Sequence, residues 1–284
     1  MADAVREQPA AQAAKREEEA LVLARRRAEE KVPRHRFGVA YLVLAALLGA
    51  AVGLFVVFLT NGGDGNSAPW SAWKPAQSGV QGRDQIAKFV ERRYALPNGR
   101  QLVGILSEPP QVSSGQQSVP VAAIGLRTGL AGETNQDLTV VRANDAWAYV
   151  LCGFGDRCTI SEGTPSTQRY DLLRREALEL SLYTMKYDHD VQSVLTFMPP
   201  GKALNANSTP TTSLIFLRRG DVKPALDAPL NDTLAQPKAN VKPGQMSAKE
   251  LGLVRKLTEG HVYNYDFQPL QDGSAAMILS PIKA

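Results

Sequence analysis

The longest apolar run in the chain, Phe37–Leu59, reads FGVAYLVLAALLGAAVGLFVVFL and contains no charged residue. A helix over this run rises to roughly 34 Å, enough to cross a hydrocarbon core of about 30 Å. Hydrocarbon offers no partner to backbone N–H and C=O groups, and a helix satisfies them internally. The pattern therefore predicts a transmembrane helix at 37–59. A buried core helix is the competing reading, but wholly apolar core helices seldom run so long. The run also exceeds the h-region of a cleaved signal peptide, roughly 7–15 residues. It is followed by Thr60-Asn61-Gly62-Gly63-Asp64, without a small-x-small cleavage pattern. It reads as an uncleaved signal anchor. Ala45, Gly49 and Gly53 form a small-residue stripe on it, a packing face for a homodimer through this helix.

Beyond the run, residues 60–82 are rich in Gly, Ser, Ala and Pro and read as a flexible linker. Trp70 and Trp73 interrupt it. They suit either the lipid interface or a first anchor on the folded domain, and docking is the preferred reading. Residues 83–284 read as the folded domain. Asp84–Tyr94 places Ile86, Phe89, Val90 and Tyr94 at helical spacing. Strands are expected at Gln101–Ser107, Val119–Arg127, Asp137–Arg142 and Ala146–Cys152. A long helix at Pro165–Tyr187, capped by Thr164, carries one apolar face to pack on a sheet. Val191–Met198 and Ser213–Arg218 read as strands. The proline-rich stretch 220–245 reads as an extended crossing segment. Ser247 and Glu250 have capping-box spacing before a helix to Thr258. Strands at His261–Gln268 and Ser274–Leu279 close the domain. The fold class predicted is α+β, with antiparallel strands packed on a long helix.

Charge gives the predicted span its direction. Residues 1–36, partly helical by propensity, hold nine of the 32 basic and seven of the 28 acidic residues. Arg25, Arg26, Arg27, Lys31, Arg34 and Arg36 precede the span, whereas only Asp64 is charged after it until Lys74. The positive-inside rule puts the N-terminus in the cytoplasm and the large C-terminal part outside, in the cell envelope. The tail reads as a solvated juxtamembrane helix in preference to a docking helix for a cytoplasmic partner. With 23 basic and 21 acidic residues remaining, the rest of the chain is nearly neutral, which argues against a nucleic-acid partner.

Candidate chemistry is sparse. Both cysteines lie in Leu151-Cys152-Gly153-Phe154-Gly155-Asp156-Arg157-Cys158. In an oxidising compartment Cys152 and Cys158 predict a structural disulfide, since five intervening residues fit neither a redox C-x-x-C nor a zinc spacing. His189, between Asp188 and Asp190, resembles a metal corner but reads better as a solvated helix end. His261 reads as a surface residue. Glu176 and Glu179 sit beside Arg174 and Arg175, and the pattern reads as a salt-bridged helix face, not an acid–base pair. Arg219-Gly220-Asp221 spells an adhesion tripeptide and is discounted as a turn. Asn207-Ser208-Thr209 and Asn231-Asp232-Thr233 are glycosylation sequons, relevant only in a eukaryotic secretory setting. No catalytic residue, cofactor site or metal site is assigned, and no hydrolase, zinc-protease or nucleotide-loop motif is present.

Trp70-Ser71-Ala72-Trp73-Lys74-Pro75, Tyr149-Val150-Leu151-Cys152-Gly153 and Leu172-Leu173-Arg174-Arg175-Glu176-Ala177-Leu178-Glu179-Leu180 resemble segments of uncharacterised single-pass membrane proteins of high-GC Gram-positive bacteria. The resemblance covers most of the outer part. It implies a bacterial envelope setting and the same topology, and brings no activity with it. The expected function is that of a membrane-anchored envelope protein whose outer domain binds or scaffolds an envelope partner. A membrane-tethered enzyme acting on wall or exported substrates, and a signalling protein using its cytoplasmic tail, are the alternatives.

Overall fold

The computed structural model describes residues 19–23, 25, 69–114, 117–129, 137–200, 212–235 and 240–282. Contacts divide the chain into two units, Met1–Ser67 and Ala68–Ala284. In the first, residues 19–23 and 25 are helical and exposed. The run 37–59, with Ala45, Gly49 and Gly53, lies outside the described residues. Among the described residues no helix is long and apolar enough to cross a membrane.

The second unit is mixed α+β. Its strands are β1 (Gly104–Glu108), β2 (Gln111–Ser114), β3 (Gln117–Arg127), β4 (Leu138–Arg142), β5 (Ala146–Cys152), β6 (Ser193–Phe197), β7 (Leu214–Arg218), β8 (Val262–Pro269) and β9 (Ala275–Pro281). Its helices are α1 (Gly79–Glu91), α2 (Thr167–Tyr187), α3 (Lys223–Asp227), α4 (Leu230–Thr233) and α5 (Ala248–Thr258). All nine strands form one sheet in the order β1-β5-β6-β7-β8-β9-β3-β2, with β4 also on β3. The two ends of that order, β1 and β2, are separated in sequence only by Pro109 and Pro110. The sheet must therefore curl on itself, and it is barrel-like. Six of the eight pairings are antiparallel, as expected, but β5 pairs parallel to β6 and β3 parallel to β9. A parallel neighbour needs a crossover, and α2 supplies the one between β5 and β6.

The sheet has two faces, and the alternation of side chains assigns each residue to one of them. Trp147, Tyr149, Leu151, Val194, Ile215 and Leu217 point to the helices and join the larger core. Ala146, Ala148, Leu195, Leu214, Phe216, Met277 and Leu279 point the other way into a second core inside the curl. The central strands are thus apolar on both sides, which accounts for their near-continuous hydrophobic runs.

Helix α2 lies on this sheet and is itself covered by α1, α3 and α5. Every residue from Asp171 to Met185 is buried. Its cap is Ser166, whose Oγ accepts a hydrogen bond from the Arg169 N–H, and not Thr164. Ser247 caps α5 by accepting from the Glu250 N–H, as its spacing predicts. Glu250 does not complete the reciprocal box. Its carboxylate turns inward instead, to Arg175 and the Ala235 N–H. The stretch predicted as extended, 220–245, contains the two short helices α3 and α4. Pro224 sits in the first turn of α3, where its missing N–H costs nothing.

Cys152 and Cys158 are joined by a disulfide, a bond that fits an oxidising, extracytoplasmic setting. It closes a tight loop that needs its glycines. A Cβ at Gly153 would lie 2.3 Å from the Thr159 carbonyl oxygen. Arg157 and Cys158 adopt left-handed backbone with φ of 51° and 62°, which costs each of order 1 kcal/mol or more. We expect reduction of this bridge to lower the unfolding free energy by about 2 kcal/mol, from the loop-entropy relation. Denaturation midpoints with and without reductant measure it, and coincident midpoints would contradict it.

Candidate ligand-binding cleft and the buried charges behind it

The folded unit starts before Arg83, where the sequence pattern places it, because the two tryptophans of the expected linker dock. The Trp70 Nε1–H donates to the Ala225 carbonyl at 3.3 Å, and the Trp70 carbonyl accepts from the Leu230 N–H. Ser71 Oγ donates to the Trp73 carbonyl at 2.5 Å and lies 2.8 Å from the Tyr187 hydroxyl. Trp73 stacks on Phe89 of α1, with centroids 3.9 Å apart and planes at 4°. Tyr183 meets both rings edge-on at 5.5 Å. Such aromatic pairs each add about 0.5–1.5 kcal/mol beyond the area they bury. The Ala76 N–H donates to Gln85 Oε1 at 2.7 Å, which ties the segment to α1 a second time.

Between this segment and α1 opens a cleft of about 270 Å³. Trp73 and Phe89 are aromatic members of its wall, with Ala76 and Gln85 beside them, and Lys74, Lys88 and Arg92 supply its charge. None of the three cations forms a salt bridge among the described residues. Arg92 donates its Nε–H to the Lys88 carbonyl at 2.7 Å, which fixes its stem along the helix and leaves its terminal nitrogens without a partner there. An aromatic floor with unneutralised cations suits an anionic ligand with an apolar or planar part. Sequence reasoning missed this cleft. Lys88 and Arg92 have helical i, i+4 spacing, but nothing in the sequence shows that residues 69–78 fold back beside them.

Behind the cleft lies a network of buried charge. Arg175 on α2 donates Nε–H to Glu250 Oε1 at 2.7 Å and Nη2–H to the Ala235 carbonyl at 2.6 Å. Its Nη1 reaches Glu179 Oε2 at 3.1 Å and also donates to the Tyr94 hydroxyl. That hydroxyl donates in turn to Glu179 Oε2 at 2.5 Å, and Arg93 Nη1 lies 3.4 Å from Glu179 Oε1. Burial disfavours the Arg175 charge, but Tyr94, Glu179 and Glu250 outweigh it and raise its pKa. Burial pushes the Tyr94 hydroxyl well above its ordinary value. The adjacent Arg174 donates to Thr258 Oγ1 and the Arg255 carbonyl, while Arg255 holds Asp171 in a two-bonded pair. The salt-bridged helix face expected at 174–179 is present in the Arg175–Glu179 pair, but it is buried. Arg174, Arg175 and Glu179 find their partners inside the protein, where they bind α2 to Arg93 and Tyr94, to α5 and to Ala235.

Glu176 stands apart from that network. It is fully buried, and neither carboxylate oxygen has a hydrogen-bond partner. Burial raises its pKa well above 4.5, and the nearby Glu179 and Glu91 charges add to the rise against a smaller opposing effect of Arg175.

The other candidates do not converge. Asp188 is buried, 3.4 Å from Arg83 Nε, while His189 and Asp190 are exposed. Among the described residues no three His, Cys, Asp or Glu side chains are grouped to hold a metal ion. Arg219 of the adhesion-like tripeptide is committed inward, donating to the Met185, Asp188 and Val191 carbonyls. His261, read as a surface residue, is half-buried 3.8 Å from Asp221 Oδ2. Burial, with help from Arg218, lowers its pKa in spite of that carboxylate.

The chain matches no known protein family, no curated protein and no solved structure.

Proposed function

We propose that this chain is a single-pass, N-in membrane-anchored envelope protein whose outer domain is a binding module, with the cleft between residues 73–76 and α1 as its binding surface. The observation that carries this reading is the cleft's unneutralised charge. Lys74, Lys88 and Arg92 surround stacked Trp73 and Phe89, and none has an acidic partner among the described residues. A fold gains nothing from clustering three such cations, since like charges repel. A ligand that neutralises them does gain. The uncharged 37–59 run and its basic N-terminal flank support the anchor, and the Cys152–Cys158 bridge supports an oxidising location.

A photo-crosslinking residue at position 76, inside the cleft, tests the binding role in intact cells. Reproducible adducts with an anionic envelope component are expected, and they should weaken when Lys88 and Arg92 become Glu. Adducts absent, or indifferent to that charge reversal, would overturn the reading. Membrane-impermeant maleimide applied to the same cells tests the location. Labelling only after reduction is expected, whereas labelling without reductant and only after lysis would place the cysteines inside.

A further inference from the structure

We infer that the cleft's ligand is the phosphate headgroup region of anionic phospholipids in the membrane that carries the chain, so that the domain lies against the bilayer along α1. This rests on the anchored reading above and adds the identity of the partner. Three observations point to a lipid surface. First, the donors suit phosphate. Lys88 stands in the last turn of α1 and Arg92 caps that helix four residues on, while Lys74 lines the same cleft from the neighbouring segment. Lys ammonium groups and the free terminal nitrogens of Arg92 are phosphate donors in quite different geometries, which fits a field of headgroups better than one shaped ligand.

Second, the aromatic component matches an interface. Trp73 is half-buried, and its indole N–H has no partner among the described residues. A ring that is apolar on its body and polar at one edge sits favourably at headgroup level. Val80, in the first turn of α1, is 53% exposed and adds an apolar side chain to the same helix. Third, the chain limits the distance. Trp73 follows Leu59, the last residue of the apolar run, by 14 residues. Fully extended, that length reaches at most about 50 Å, so a chain anchored by this run tethers the cleft within that distance of the bilayer. Effective concentration then favours the lipid over a soluble anion of similar intrinsic affinity.

The full-length protein reconstituted in vesicles tests the inference. Outward-facing molecules are treated with a membrane-impermeant amine-acylating reagent, and acylation of Lys74 and Lys88 is read by mass spectrometry against exposed Lys249 on α5. The vesicles are phosphatidylcholine alone, or with about one third phosphatidylglycerol. We expect acylation of Lys74 and Lys88 to slow by about tenfold in the anionic vesicles, with Lys249 unchanged, given the attraction of each cation to an anionic surface. The protection should disappear at about 1 M salt, where the Debye length is short. An Arg92→Glu variant should lose most of it. Equal acylation in the two vesicle types would overturn the inference. Protection by an added soluble phosphodiester polymer, with none from anionic vesicles, would also overturn it and assign the cleft to a wall-type polymer. Alkaline extraction of the same vesicles separates the two levels. Release of the protein would refute the anchor, whereas retained protein with unprotected lysines refutes only the lipid assignment.

Discussion

Replacing Arg175 with methionine is expected to lower the unfolding free energy by about 3–5 kcal/mol, the range found when one partner of a buried ion pair is removed. The guanidinium is 1% exposed and serves four acceptors on three other pieces of the chain and its own helix. Methionine fills much of the volume, so the loss reports the charges left behind and not a cavity. Glu179 keeps Tyr94 and the longer contact to Arg93, and Glu250 keeps the Ala235 N–H. Both carboxylates stay buried with less compensation. Arg175→Lys should recover only part of the loss, because one ammonium cannot span the fork from Glu250 to Glu179. Lys223→Met provides the contrast. Its pair with Asp227 is mostly exposed on both sides, and removing it should cost less than about 0.5 kcal/mol. Equilibrium denaturation of the three variants, followed by tryptophan fluorescence, measures the differences. An Arg175→Met loss no larger than that of Lys223→Met would show that the network contributes nothing net.

The same helix shows what sequence reasoning can and cannot read. Its extent was legible to within two residues, because the apolar strand run before it stops at Cys152 and Pro165 opens a helix-forming stretch that reaches Tyr187. The strands β5, β6 and β7 were legible for a related reason: sides that are both buried leave apolar runs bounded by polar turns. What was not legible was the environment of the charges. Arg174, Arg175, Glu176 and Glu179 have the spacing of a solvated i, i+4 ladder, and local sequence carries no sign that α1 and α5 close over them. Partners such as Tyr94, 81 residues away, are known only from the fold. The parallel pairings of β5 with β6 and β3 with β9 were hidden in the same way, since strand patterning fixes faces and not neighbours. Strand β2 is only four residues long and polar, too short to show a period. The cleft combines both limits. Trp73 was readable as a docking residue, but its stacking partner Phe89 and the three cations around them meet only when residues 69–78 fold back on α1.

Because of Glu176, the stability of the fold is expected to fall as pH rises. The unfolded carboxyl titrates near its ordinary value of 4.5, whereas burial, together with Glu179 of its own helix and Glu91 of α1, holds the folded group well above it against the pull of Arg175. Between those two values the folded chain keeps a proton that the unfolded chain has released. Stability from this group is therefore fully present below 4.5 and is lost as pH climbs toward the native value, by up to about 1.4 kcal/mol per pH unit. Glu176→Met removes the proton linkage and the unpaired oxygens together while keeping a similar length. The variant should be more stable than the parent at pH 8, and the gap should shrink on acidification. Near pH 4 a residue of about 1 kcal/mol should remain, the cost of burying a neutral carboxyl without a partner. The other titrating groups are common to both proteins and largely cancel in the difference. Denaturation midpoints of parent and variant from pH 4 to pH 8 supply the difference curve. A curve flat across that range would mean that the Glu176 carboxyl is ionised in the folded protein, with a compensating cation or water beside it.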